Sequence, residues 1–158
     1  MVGWVAMRQL GPGDEDTLRG LRLRALRDAP EHFTSTYDRE AARTDAQWGR
    51  WLSPGATFVA EDTHGAAVGL VAAVRDEGEP DTVHLMALWV DPTSRGTGVG
   101  DALVAAVLGW AEAHAMARTR LHVMAANGPA RDLYVRHGFR AVSEVARDGV
   151  RQVVMECP

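Results

Sequence analysis

The stretch that most constrains this chain runs from Thr82 to Ala125. Thr82 to Val90 is an apolar run closed by Asp91-Pro92, and it passes through Thr93-Ser94-Arg95-Gly96-Thr97-Gly98-Val99-Gly100-Asp101 into a long periodic segment. There Val99, Leu103, Val107, Trp110 and His114 recur every three or four residues, which predicts one side of a helix over about 98–117. Leu121 to Ala125 reads again as a strand. Strand, helix and strand in this order form a β-α-β crossover, whose two strands lie parallel in one sheet with the helix on its face.

The flanking segments add antiparallel neighbours. Residues 2–9 alternate weakly and stop at Gly11-Pro12-Gly13, and Asp14, Glu15 and Asp16 place negative charge at the start of a helix over about 14–28. Ala29-Pro30 breaks that helix, and 31–37 reads as a loop; Thr44 and Gln47 then have capping-box spacing ahead of a short helix with Trp48 and Trp51 on one side. Residues 57–61 and 66–75 flank a turn, and a second turn at 76–81 leads into the central strand. Pro129 to His137 predicts a helix stopped by Gly138, and two last strands meet near Asp148-Gly149. The order β, α, α, β, β, β, α, β, α, β, β is an α/β chain on a mixed sheet, and 158 residues make one domain over 1–158.

Composition removes several functions. The net charge is −4, from 17 basic residues, all arginine, against 21 acidic ones, so the chain lacks the clustered cationic excess that coats nucleic acid. No apolar run approaches the roughly 18 residues of a membrane span, and the N-terminus lacks the basic and apolar regions of a signal peptide. A single cysteine, Cys157, allows no internal disulfide and no cysteine metal site; His32, His64, His114, His122 and His137 lack convergent metal spacing. The expectation is a soluble, cytoplasmic protein with no metal, membrane or nucleic-acid partner.

The glycine-rich turn carries chemistry. At a helix N-terminus several N–H groups have no internal partner and the dipole is positive, so an anion is welcome there. Gly96, Gly98 and Gly100 allow close approach, and Arg95 adds a planar fork suited to phosphate. A Walker A loop is excluded in a chain without lysine, and the three glycines do not spell the dinucleotide fingerprint.

A second constellation follows: Asn127-x-x-Ala130-x-x-Leu133-Tyr134-x-x-x-Gly138-Phe139. Together with Arg95-x-x-Gly98-x-Gly100, in this order and separation, it resembles the GNAT superfamily of acyl-CoA-dependent N-acetyltransferases. The resemblance implies a mixed, twisted central sheet flanked by helices and splayed between the fourth and fifth strands. It also implies acetyl-CoA as co-substrate, its pantetheine arm pairing with backbone at Leu88, Trp89 and Val90. The pyrophosphate would rest on the amides of Gly96, Thr97, Gly98, Val99, Gly100 and Asp101, beside Arg95. Asn127 would contact the arm, Ala130 would leave room for it, and Tyr134 stands where such proteins carry their general acid. Paired subunits are common among them, so a homodimer is compatible with the resemblance.

Acyl transfer to an amine needs a neutral nucleophile, donors for the oxyanion and a proton for the departing thiolate. The Val90 N–H is the candidate oxyanion donor and Tyr134 the proton donor. His84 lies eleven positions before Arg95, where some members of that superfamily carry a catalytic glutamate, and an imidazole with pKa near 6.5 can take a proton directly or through water. Glu31, Glu79 and Asp81 are alternative bases. Asp76, Glu77, Glu79 and Asp81 would draw a cationic amine, small molecule or peptide, toward the splay, while Phe33, Tyr37, Trp48 and Trp51 wall an acceptor pocket or fill the core. A non-catalytic acyl-CoA-binding module of the same fold and a nucleotide-binding module are the competing readings.

Overall fold

The computed structural model describes residues 4–52 and 55–158; residues 2 and 3 of the first expected strand lie outside them. The chain runs β1 (Trp4–Gln9), α1 (Glu15–Asp28), α2 (Tyr37–Ala41), α3 (Asp45–Trp51), β2 (Ala56–Asp62), β3 (Ala67–Arg75), β4 (Thr82–Val90), α4 (Val99–Ala113), β5 (Arg118–Met124), α5 (Gly128–Arg136), β6 (Arg140–Arg147) and β7 (Val150–Cys157). No helix among the described residues is long and apolar enough to cross a membrane.

Two elements differ from the sequence expectation. Helix α2 starts at Tyr37, the last residue of the segment read as a loop, and runs on through residues that the sequence reading assigns to no element; the Thr36 hydroxyl caps it by accepting the Arg39 N–H at 3.2 Å, and five residues are too few to show helical periodicity. Helix α4 ends at Ala113 rather than near 117, because Ala115 turns left-handed at φ 56° and the Met116 N–H donates back to the Ala111 carbonyl. The capping box at Thr44 and Gln47 forms in both directions.

The seven strands form one mixed sheet in the order β1-β2-β3-β4-β5-β7-β6. Only β4 and β5 are parallel; every other neighbouring pair is antiparallel. Side-chain alternation buries both faces. Val59 and Leu70 pack with Leu18, Leu21, Ala25 and Trp48 of α1 and α3, whereas their sequence neighbours Ala60 and Val71 pack with Val99, Leu103, Val104 and Val107 of α4. The sheet is therefore the middle of three layers. Within the first layer, Arg22 of α1 clasps Glu40 of α2 in a buried two-bond ion pair, 2.8 and 3.0 Å.

The start of α4 lies against the sheet at Gly69. A Cβ there would stand 2.9 Å from both Leu103 Cδ1 and Val99 Cγ1, so the glycine is what lets the helix approach so closely. Gly69→Ala is expected to destabilise the fold by about 1–3 kcal/mol through overpacking. An unchanged midpoint in chemical denaturation would contradict this.

Candidate active site

The site begins where the parallel pairing stops. β4 and β5 pair only through Thr82↔Arg118, Val83↔Thr119 and His84↔Arg120, and beyond His84 the two strands diverge. Among the described residues, the β4 edge from Leu85 to Val90 has no strand partner on that side. On its other side β4 carries a bulge: pairing passes from Ala72↔Met86 to Leu70↔Trp89, three steps on β4 (89 − 86) against two on β3 (72 − 70). Ala87 absorbs the extra residue with φ 60°, a left-handed conformation unusual for alanine.

The fork opens into a cleft of about 1840 Å³. The Asp91 N–H donates to Val68 on β3, so the preceding Val90 N–H points to the open edge, since successive residues of a strand aim at opposite edges. Leu88, Trp89 and Val90 line the cleft. The Val90 carbonyl accepts from Arg95 Nε at 3.0 Å.

The glycine-rich turn follows. No backbone or side-chain acceptor among the described residues takes the N–H groups of residues 96–101. Gly96 and Gly98 have φ of +79° and +89°, which the turn requires, and they line the cleft with Gly100 and Asp101. Gly100 serves packing as well, because a Cβ there would stand 3.3 Å from Leu133. Thr97 and Val99 offer only their amides: the Thr97 hydroxyl donates to the Ser94 carbonyl, and Val99 is buried under the turn. Arg95 is already tethered within the protein. Its Nη2 donates to Asp28 Oδ2 at 2.6 Å, and the Trp89 indole donates to the same oxygen at 2.9 Å. Those bonds, the indole's above all, hold the Asp28 carboxyl below the usual range.

Helix α5 forms the opposite wall. Asn127 Oδ1 caps it by accepting the Ala130 N–H at 3.3 Å, and Asn127 and Ala130 line the cleft. Tyr134 lies in the same wall, 6% exposed, its ring edge-on to Phe139 at 5.8 Å. Its hydroxyl has no hydrogen-bond partner among the described residues and is not sealed from solvent. Burial pushes the phenol well above its ordinary pKa, so it stays protonated and is a donor, not a base.

His84 stands at the vertex of the fork, and its Nε2 lies 2.7 Å from Asp76 Oδ2. That bond, helped by the Glu79 and Gly78 N–H groups, pulls the Asp76 carboxyl down to about 2. An ionised Asp76 fixes the tautomer with the proton on Nε2, leaving Nδ1 to accept. His122 of β5 is the neighbouring ring, at 6.3 Å between centroids; burial, with Arg147 and His84 nearby, pushes its pKa down. The alternative bases are elsewhere: Glu79 binds Arg118 and Arg120, and neither Glu31, Glu79 nor Asp81 lines the cleft. Of the aromatics, Phe33 and Trp51 line it, whereas Trp48 is core. Among the described residues no cluster of side chains suits a metal ion.

Sequence reading missed the pairing of Asp76 with His84. The signal was present, since a turn over 76–81 closing a β3–β4 hairpin sets Val74 opposite His84 and so brings the following aspartate alongside.

The sequence matches the acetyltransferase (GNAT) family over residues 22–139. It is 33% identical over 140 residues to a mycothiol acetyltransferase of Thermobispora bispora, covering 85% of this chain and 46% of that one. It is 37% identical over 92 residues to an L-2,4-diaminobutyric acid acetyltransferase of Nocardia farcinica, covering 56% and 47%. The chain thus spans about half the length of the curated relatives it matches. Among solved structures, an N-acetyltransferase from Kribbella flavida superposes with a TM-score of 0.80 at 23% identity, covering 97% of this chain and 96% of that one. An acetyltransferase from Streptococcus pneumoniae gives 0.82 at 21% identity, covering 96% of each. These two likenesses show the fold.

The Asp76 bond can be titrated. Because the folded pKa is depressed, the contribution of this bond to stability is present above the ordinary carboxylate value of about 3.9 and is lost as pH falls through about 2. His84→Ala is expected to move the Asp76 carboxyl resonance part of the way back toward about 3.9, the backbone donors remaining. A titration identical in both proteins would contradict the pairing.

Proposed function

The chain belongs to the acetyltransferase (GNAT) family, and from that premise we propose that it is a single N-acetyltransferase domain moving acetyl from acetyl-CoA to a primary amine by direct attack. The observation that carries this reading is the fork: an unpaired strand edge, a row of unpartnered amides and a protonated phenol all face one cleft. Acetyl-CoA supplies the thioester. The open edge at Leu88 to Val90 receives an extended arm, and the amides of residues 96–101 receive its pyrophosphate at the α4 N-terminus. Arg95, tethered to Asp28 and Val90, steadies the turn and leaves Nη1 for the phosphate. Asn127 contributes its amide nitrogen, since its oxygen is engaged as a cap.

The proton path follows from what each side chain can hold. An alkylammonium with pKa near 10.4 is almost wholly charged at neutral pH, so the amine must lose a proton before or during attack. His84 Nδ1 accepts it, directly or through water, while Asp76 stabilises the imidazolium through Nε2. The Val90 N–H faces the developing oxyanion from the strand edge. Tyr134 donates a hydrogen bond to the departing sulfur; with its pKa raised further above that of a thiol, it stabilises the thiolate as a donor and keeps its own proton. The names of the relatives, a mycothiol and an L-2,4-diaminobutyric acid acetyltransferase, favour a small-molecule acceptor over a peptide.

Tyr134→Phe is expected to lower kcat by about a hundredfold. Equal rates in both proteins would remove the phenol from the mechanism, and acetyl-CoA binding without transfer to any amine would support a non-catalytic binding module instead. His84→Ala is expected to slow the reaction most at lower pH, with the deficit shrinking as the amine deprotonates unaided. A deficit that is flat from about pH 6.5 to 10 would mark His84 as a packing residue.

A further inference from the structure

Where α1, α2 and α3 wall the cleft, every charged side chain they contribute is an arginine, Arg22, Arg39 and Arg50, and Arg43 of the α2–α3 connection joins them. This is unexpected in a chain of net charge −4. Arg39, Arg43 and Arg50 have no carboxylate within ion-pair distance among the described residues. Arg22 is held rigidly. Glu40 grips its Nε and Nη2, and its guanidinium is stacked by Phe33 at 4.7 Å and Trp51 at 5.3 Å. Burial pushes the Glu40 carboxyl up, but the Arg22 bond and the nearby Arg43 charge outweigh it, so the carboxyl stays ionised.

What the clamp leaves over is Arg22 Nη1, a buried donor with no partner, on a side chain only 8% exposed. The Trp51 indole nitrogen is a second buried donor without a partner, and Trp51 also lines the cleft. Arg43 adds its charge over the Trp51 ring at 5.4 Å. Donors left unsatisfied at such depth are costly, and what they lack is an acceptor oxygen. Next to His84 the same cleft is lined by Asp76 and Glu77 of the β3–β4 turn, with Arg75 of β3 and Arg147 of β6 also on the wall.

We propose that the α1–α3 end is a subsite for an anionic group on the acceptor, so that the substrate is an amine bearing a carboxylate or phosphate at its far end. The proposal rests on the acyl-transfer reading above and adds direction to it. The amine lies toward the carboxylates beside His84, and the anion lies against the arginines, whose planar forks suit either oxyanion. A polyamine would meet like charge at this wall, so it is a poor fit.

The test uses the purified chain saturated with CoA, titrated calorimetrically with amine pairs that differ only at the far end. ω-Amino acids are set against their carboxamides, and ω-aminoalkyl phosphates against the corresponding amino alcohols. The same pairs serve as acceptors with acetyl-CoA. At least one charged member is expected to exceed its neutral partner by about tenfold or more in affinity and in kcat/KM. Arg43→Gln and Arg50→Gln, which leave the buried Arg22–Glu40 pair intact, are expected to erase that preference through KM while CoA affinity holds. Whether the carboxylate or the phosphate series shows the preference identifies the anion. Neutral members that bind and react as well as charged ones in every pair would overturn the subsite, as would an arginine-independent preference or no binding of any charged member. Arginine-dependent binding of the acids without acetylation of any amine would support the subsite and overturn the acyl-transfer reading.

Discussion

Three parallel pairings hold β4 to β5, and the character of the cleft follows from their ending at His84. A sheet interior ordinarily satisfies every backbone group on both edges of a strand, and an interior strand with one open edge is a site seeking a partner. The divergence is enforced from both sides. β5 is drawn into a six-pair antiparallel ladder with β7, and β4 is bent away by the bulge at Ala87. The crossover helix α4 must start at the same end as this opening, so its free amides face the same space as the strand edge.

The side chains follow that geometry in a graded way. The α4 turn and α5 supply amides, Asn127 and a protonated phenol on one wall; the vertex supplies an imidazole oriented by a carboxylate; the α1–α3 end supplies arginines. Each group's chemistry is set by what already holds it. Asp76 is ionised because His84 and two backbone N–H groups bind it, and Tyr134 is protonated because it is buried without a counter-charge. Asp28 links the layers, since one of its oxygens receives both the Trp89 indole from β4 and the Arg95 guanidinium from the turn.

Short-range signals were legible in the sequence and long-range ones were not. The capping box at Thr44 and Gln47, the turn at Asp148-Gly149, the glycines before α4 and the proline in the first turn of α5 depend on residues within a few positions of each other. The ladder order and the splay came from resemblance rather than from periodicity. Helix α2 escaped because five residues hold little more than one turn, and the end of α4 escaped because apolar residues continue past the point where Ala115 reverses the backbone. The clasp of Arg22 by Glu40, eighteen residues apart, exists only once α1 and α2 have packed. Arg95 was read as a fork suited to phosphate, and its tether to Asp28, 67 positions away, has no local signature.

Ala87 shows where this architecture is least at ease. A non-glycine residue held at positive φ costs about 1–2 kcal/mol, and here that strain sits on the very strand edge that must stay open. Relaxing it with glycine would make the protein hardier toward heat while letting the bend wander, so durability and the aim of the strand edge pull against each other at a single methyl group.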